Sequence, residues 1–136
     1  MHRIRSGQAR RAADETARAN SAIALLLRSG HSFDAVFCGS DQIARGVLDA
    51  LRESGRRVPD DAAVVGVDNW EVMAQTARPP LTTVDLNLHE LGRVAAAALL
   101  RAIEGHTLEA GVRFVPCQLV TRQSTEIPPM TTASPR

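Results

Sequence analysis

Three stretches follow one another in this chain: F-D-A-V-F-C-G-S-D-Q-I-A-R-G at residues 33–46, V-P-D-D-A-A-V-V-G-V-D-N at 58–69, and P-P-L-T-T-V at 79–84. The first two close an apolar run with small, polar or acidic residues, the pattern of a buried parallel strand that surfaces where ligands bind. Val36, Phe37 and Cys38 are consecutive and predict a strand covered on both faces, Ala35 to Gly39. Ser40 is placed to cap the helix that follows. Ile43, Val47, Leu48 and Leu51 then recur at helical spacing until Gly55 offers a stop. The next apolar run, Ala62 to Val67, begins about 27 residues after the first, the length of one β-α-β unit with a right-handed crossover.

On either side the reading extends by the same rules. Ala12 to Arg28 is rich in Ala and Leu, with Ile23, Leu26 and Leu27 on one side and Gly30 beyond, and reads as a surface helix with one apolar stripe. A short helix is expected over Glu71 to Ala77, ended by Pro79 and Pro80. Leu81 to Leu86 reads as strand. Leu88, Leu91, Ala95, Ala98, Leu99, Ala102 and Ile103 share one side of a helix that Gly105 closes, and Val112 to Val120 reads as a last strand. Residues 1–11 hold Arg3, Arg5, Arg10 and Arg11 with no acid, a basic N-terminal arm, and residues 126–136 form a Pro/Thr-rich tail with too few apolar residues to order itself.

Composition narrows the function. A chain of 136 residues suffices for one domain, which on area scaling buries roughly two-thirds of the surface its unfolded chain exposes. The net charge of +1 lacks the basic bias of a phosphate-binding surface. All 16 basic residues are Arg, a pattern better ascribed to codon usage than to chosen guanidinium sites. Cys38 and Cys117 each lie in an apolar run and read as buried, reduced thiols, which points to the cytoplasm. The apolar stretch Ala22 to Leu27 is too short for a signal peptide or a membrane span.

Candidate chemistry gathers where the strands end. Ser40 and Asp41 follow one strand and Asp68 and Asn69 its neighbour, a set of carboxylates, hydroxyl and amide suited to a polyol or sugar. Read on spacing alone, the same residues equally well start a helix and make a turn. Trp70, the only Trp, stands beside them and could stack on a sugar face or simply pack. No phosphate loop of the G-x-x-x-x-G-K-[ST] kind and no G-x-G-x-x-G follows a strand. His2, His31, His89 and His106 lack partners at metal-ligand spacing, so neither cofactor nor metal is expected. His31, Ser40 and Asp68 supply the letters of a hydrolytic triad, but C-G-S-D-Q is not a nucleophile elbow, and the chain is not expected to be an enzyme.

Taken in order, the three stretches and the closing L-V-T-R-Q-S at 119–124 resemble the effector-binding domain of LacI/GalR-family transcriptional regulators over about residues 20–125. That resemblance implies an α/β fold with a parallel sheet of the periplasmic-binding-protein type, present in part and mostly as the C-terminal lobe. It implies that Asp68 matches a recurrent effector carboxylate, that Ser40 stands where many members have Asn, and that Asp41 holds the family's acidic position and caps its helix. It places Asp85 to Leu88 near the hinge, with Leu86 and Leu88 as pocket-wall candidates. It also implies a small-molecule effector, a sugar or nucleoside, and a homodimer formed through residues 41–54 and 72–78.

Two departures are visible. No helix-turn-helix precedes the domain, so DNA binding is expected only through a part absent from this chain. Most of the first lobe is missing too, and residues 88–117 look like the piece that would return to it, so the sequence reads as a fragment whose domain spans 12–125. Two other readings stand beside this one: the solute-binding protein of a sugar transporter, and a truncated product without effector function.

Overall fold

The computed structural model describes residues 6–126; for residues 6–13, 15, 17 and 19, only the backbone is considered. Eight elements follow in order: α1 (Ser6–Arg28), β1 (Ala35–Phe37), α2 (Asp41–Glu53), β2 (Ala63–Val67), α3 (Glu71–Thr76), β3 (Thr82–Asp85), α4 (Leu88–Ile103) and β4 (Gln118–Val120). They build one four-stranded sheet in the order β1-β2-β3-β4. β1, β2 and β3 are parallel, with Phe37 opposite Val65 and Val67 opposite Val84, and β4 closes the edge antiparallel, with Leu119 opposite Val84. The expected α/β architecture with a mainly parallel sheet is therefore present.

One face of that sheet carries the core. Ala44, Val47, Leu48, Ala50 and Leu51 of α2 bury against Val64, Ala62 and Leu81, and Ile23 of α1 joins the same cluster, with Leu27 packed on it. Burying side chains such as Leu51 or Leu81 contributes about 1.5–3 kcal/mol each. Ser40 caps α2 as expected, its hydroxyl accepting the Ile43 N–H at 3.2 Å. Gly55, with φ +73°, follows the end of that helix in the left-handed conformation that suits glycine.

The segment after β4 locks the strands from the side. Ser124 is buried; its hydroxyl donates to the Val64 carbonyl at 2.6 Å and accepts the Thr82 N–H at 2.8 Å. The Arg122 guanidinium donates to the Leu81 carbonyl, 2.9 Å, and its backbone N–H to Thr82 Oγ1, 2.7 Å. The closing L-V-T-R-Q-S thus serves as a clasp across β2 and β3.

Several expectations are corrected. β1 is not covered on both faces: Phe37 is 70% exposed, and Leu119, on the same face by register, is 62% exposed, while Val65, Val67 and Val84 between them are only half-buried. The consecutive apolar residues of β1 signalled a two-sided strand, but the residues described place a helical layer on one side alone. The first helix begins at Ser6, not Ala12, so residues 6–11 of the expected basic arm are helical; residues 1–5 and the tail from 127 lie outside the described residues. The last strand is three residues long rather than nine, because residues 112–117 find no neighbouring strand to pair with. Cys117 is exposed, unlike Cys38. α4 has the expected bounds yet buries none of its residues.

Candidate functional site

β1, β2 and β3 run in parallel, so their carboxyl ends open on one edge of the sheet. There the loops diverge and the next helix begins. Each of the three strands delivers a carboxylate to that edge: Asp41 one helix-start beyond β1, Asp68 directly after β2, and Asp85 as the last residue of β3. Ser40, Asn69 and Trp70 arrive with them. Five of the seven residues singled out in the sequence therefore share one edge. Leu86 lies just beyond β3 on the connection into α4 and is half-buried, and Leu88 is the first residue of α4 and exposed.

The three carboxylates sit in different environments. Asp41 is 1% exposed, and both its oxygens are engaged, one by the Trp70 N–H at 2.7 Å and the other by the Thr83 hydroxyl at 2.5 Å. Asp85 accepts the Asn87 N–H at 2.7 Å and the Asn69 side-chain amide at 3.0 Å, bonds that hold its carboxyl below the usual range. Asp68 is exposed; partial desolvation, and then the nearby charge of Asp41, raise its carboxyl above the ordinary value. Of the three carboxylates it is the exposed one.

Backbone geometry presents that group. Asp68 has φ 107° and Asn69 φ 48°, both positive for residues with a side chain, and such conformations persist where neighbours over-determine them. Here the neighbours are Thr83, whose Oγ1 accepts the Asn69 N–H at 3.2 Å, and Arg122, whose guanidinium donates to Asn69 Oδ1 at 2.9 Å. Asn69 therefore spends its side chain on Asp85 and Arg122. Trp70 precedes α3 with its indole half-exposed, at 49%.

Asp85, Thr83 and Arg122 organise the edge; the sequence placed Asp85 near the hinge but marked none of the three as a site residue. T-T-V-D at 82–85 carries the signal for Asp85, an apolar run closed by an acid as in the two earlier strands. Arg122 lies 53 residues from Asn69, and no local pattern announces that bond. His31 precedes β1, at the opposite end of the strand from Ser40, and bonds Ser29 Oγ at 2.6 Å, so it does not assemble with Ser40 and Asp68.

Residues 2–125 match the periplasmic binding protein-like domain family. Among curated proteins, the HTH-type transcriptional repressor CytR of Escherichia coli (strain K12) is 39% identical over 95 residues, 70% of this chain and 28% of the repressor. Among solved structures, a complex of the transcriptional regulator CelR with cellobiose is 38% identical with TM-score 0.72, covering 80% of this chain and 33% of that one. The Lac repressor dimer bound to operator and an anti-inducer is 32% identical with TM-score 0.74, covering 81% and 33%. The chain thus spans about a third or less of each of these three relatives.

Proposed function

This chain belongs to the periplasmic binding protein-like domain family and is homologous to the LacI-type repressors, and from that premise we propose that it is the effector-sensing part of such a transcriptional regulator. The observation that carries the reading is the exposed Asp68 carboxylate at the end of β2, presented by a positive-φ turn beside Ser40 and Trp70. An ionised carboxylate that accepts two hydroxyl hydrogen bonds, next to an indole that offers a flat apolar face, suits a polyhydroxyl effector, a sugar or a nucleoside. One relative is seen with cellobiose and another with an operator, which supports a sugar signal coupled to DNA affinity.

In this proposal the coupling is a population shift, effector favouring one arrangement of the regulator through contacts that differ between states. Operator contact is not assigned to these residues, whose charge of +1 offers no basic surface. Residues 41–54 and 72–78 are assigned to a homodimer interface, with Arg45 half-buried on α2 and Val72 exposed on α3. The relatives matched are transcriptional regulators, in keeping with a binding and not a catalytic role. No helix among the described residues is long and apolar enough to cross a membrane, and the proposed role places the protein in the cytoplasm.

Trp70 supplies the test, because it is the single indole of the chain. Cellobiose, lactose and ribose are titrated against its fluorescence, with calorimetry in parallel. At least one should give a saturable change, and Asp68→Ala should weaken it about tenfold or more, the effect of losing a charge-assisted hydrogen bond. Equal affinity in Asp68→Ala would remove Asp68 from the site.

A further inference from the structure

We infer that Asp41 is a positioning residue: with Thr83, and in space left by Gly66, its buried carboxylate sets the Asp68–Asn69–Trp70 turn from beneath and does not itself touch ligand. The inference rests on the reading of Asp68 as the effector contact and adds the device that holds it.

Asp41 opens α2, where a carboxylate favourably meets the helix N-terminus. A capping role alone leaves such a side chain at the surface, facing its own first turn. This one is buried, and its bonds go to residues 29 and 42 positions away, the Trp70 N–H and the Thr83 hydroxyl. Thr83 Oγ1, having donated to Asp41, accepts the Asn69 N–H. Two consecutive backbone donors of the turn are thus held from one carboxylate, the first through Thr83 and the second directly. A peptide pair fixed in this way cannot relax to negative φ without leaving a buried carboxylate oxygen unpaired.

Gly66 makes the arrangement possible. It sits in β2 opposite Thr83, and a Cβ there would collide with the Asp41 carboxylate and crowd Leu81 and Ala44. Asp41, Gly66 and Thr83 lie on the covered face of the sheet, and Asp68 is carried to the exposed edge above them.

Amide hydrogen exchange on the 136-residue chain tests this without any ligand. In Asp41→Ala, which removes both acceptor oxygens, the Trp70 amide should exchange about tenfold faster or more, as for one lost hydrogen bond. The amides of Leu51 and Val64 should keep their protection. Thr83→Val, which keeps the shape and loses the hydroxyl, should release the Asn69 amide, and Thr83→Ser should restore it. Trp70 emission should shift in the first two variants and return in the third. Wild-type exchange at Asn69 and Trp70 in Asp41→Ala overturns the inference, and so does a parallel loss of protection at Leu51 and Val64 in both Asp41→Ala and Thr83→Val, which would mark a core role. Failure of the effector reading looks different: sugar affinity that survives Asp68→Ala, with the exchange pattern still present.

Discussion

A β-carbon on Gly66 would fall on the Asp41 carboxylate, so the absence of a side chain at the middle of β2 and the presence of a buried acid at the start of α2 are one feature. Gly66→Ala places a methyl where the acid, Leu81 and Ala44 already fill the space. Overpacking of this kind costs about 1–3 kcal/mol. The urea midpoint should fall accordingly with an unchanged m-value, and a midpoint equal to that of wild type would mean that Asp41 moves aside freely.

Ser124 offers a second measure of the interior. Its hydroxyl serves the Val64 carbonyl and the Thr82 N–H at once, joining β2 to β3 through a residue outside both. Ser124→Ala leaves the Thr82 N–H without that acceptor in a buried setting, a loss of about 1–3 kcal/mol. Equilibrium unfolding should register it, and Ser124→Thr is the variant to compare if the hydroxyl rather than the packing is in question.

These two residues show what the sequence could and could not disclose. α4 was readable to the residue, Leu88–Ile103, because its Leu and Ala spacing and the glycine after it are local signals. The carboxyl-end edge was readable from apolar runs that stop at Ser40 and Asp68. What Asp41 does with its side chain was not, since Trp70 and Thr83 are non-local partners; spacing shows a cap and cannot show a reach. The same holds for Arg122 and Asn69. Phe37 misled for a related reason: three apolar residues in a row specify a strand that tolerates cover on both faces, and whether the cover is present is a property of the other elements.

The charge of Asp68 should weaken the fold slightly at neutral pH. Its carboxyl is raised above 3.8 by partial desolvation and by Asp41, so the native state holds the proton more tightly than the unfolded chain does. Above the raised value the ionised group opposes folding, and that opposition disappears as pH falls to 3.8. Asp68→Asn should therefore be more stable than wild type at neutral pH, by under about 1 kcal/mol because the group is exposed and screened. The advantage should shrink on acidification and vanish below the ordinary carboxylate value. A difference that grew toward acid would reverse the assigned direction.

The two thiols should separate cleanly. Burial, followed by the neighbouring Asp41 charge, pushes the Cys38 thiol up to about 11, whereas Cys117 is exposed. Since the thiolate is the reactive form, a maleimide or aromatic disulfide near neutral pH should label one site at once and the second only as the chain unfolds. Mass spectrometry of the labelled peptides identifies which. Prompt labelling of Cys38 in the native protein would show that the β1 end opens on its own.

Exposed apolar side chains on α4 and on the uncovered sheet face set the last expectation. Leu88, Leu91, Leu99, Leu100 and Ile103 of α4 are all exposed, and Phe37 and Leu119 stand open on the uncovered sheet face. Isolated soluble proteins rarely carry contiguous apolar patches beyond a few hundred Å². The 136-residue chain should therefore associate, with a mass by light scattering that rises over roughly a hundredfold range of concentration and a hydrophobic dye that brightens in its presence. Because α4 contributes no buried residue, Leu99→Lys with Ile103→Lys should leave the unfolding free energy within about 0.5 kcal/mol of wild type, as for ordinary surface substitutions. The same pair should lower the association. A wild-type chain that stays monomeric and dye-silent would show that these side chains find cover, and a large drop in stability in the double variant would say that the cover is within the chain itself.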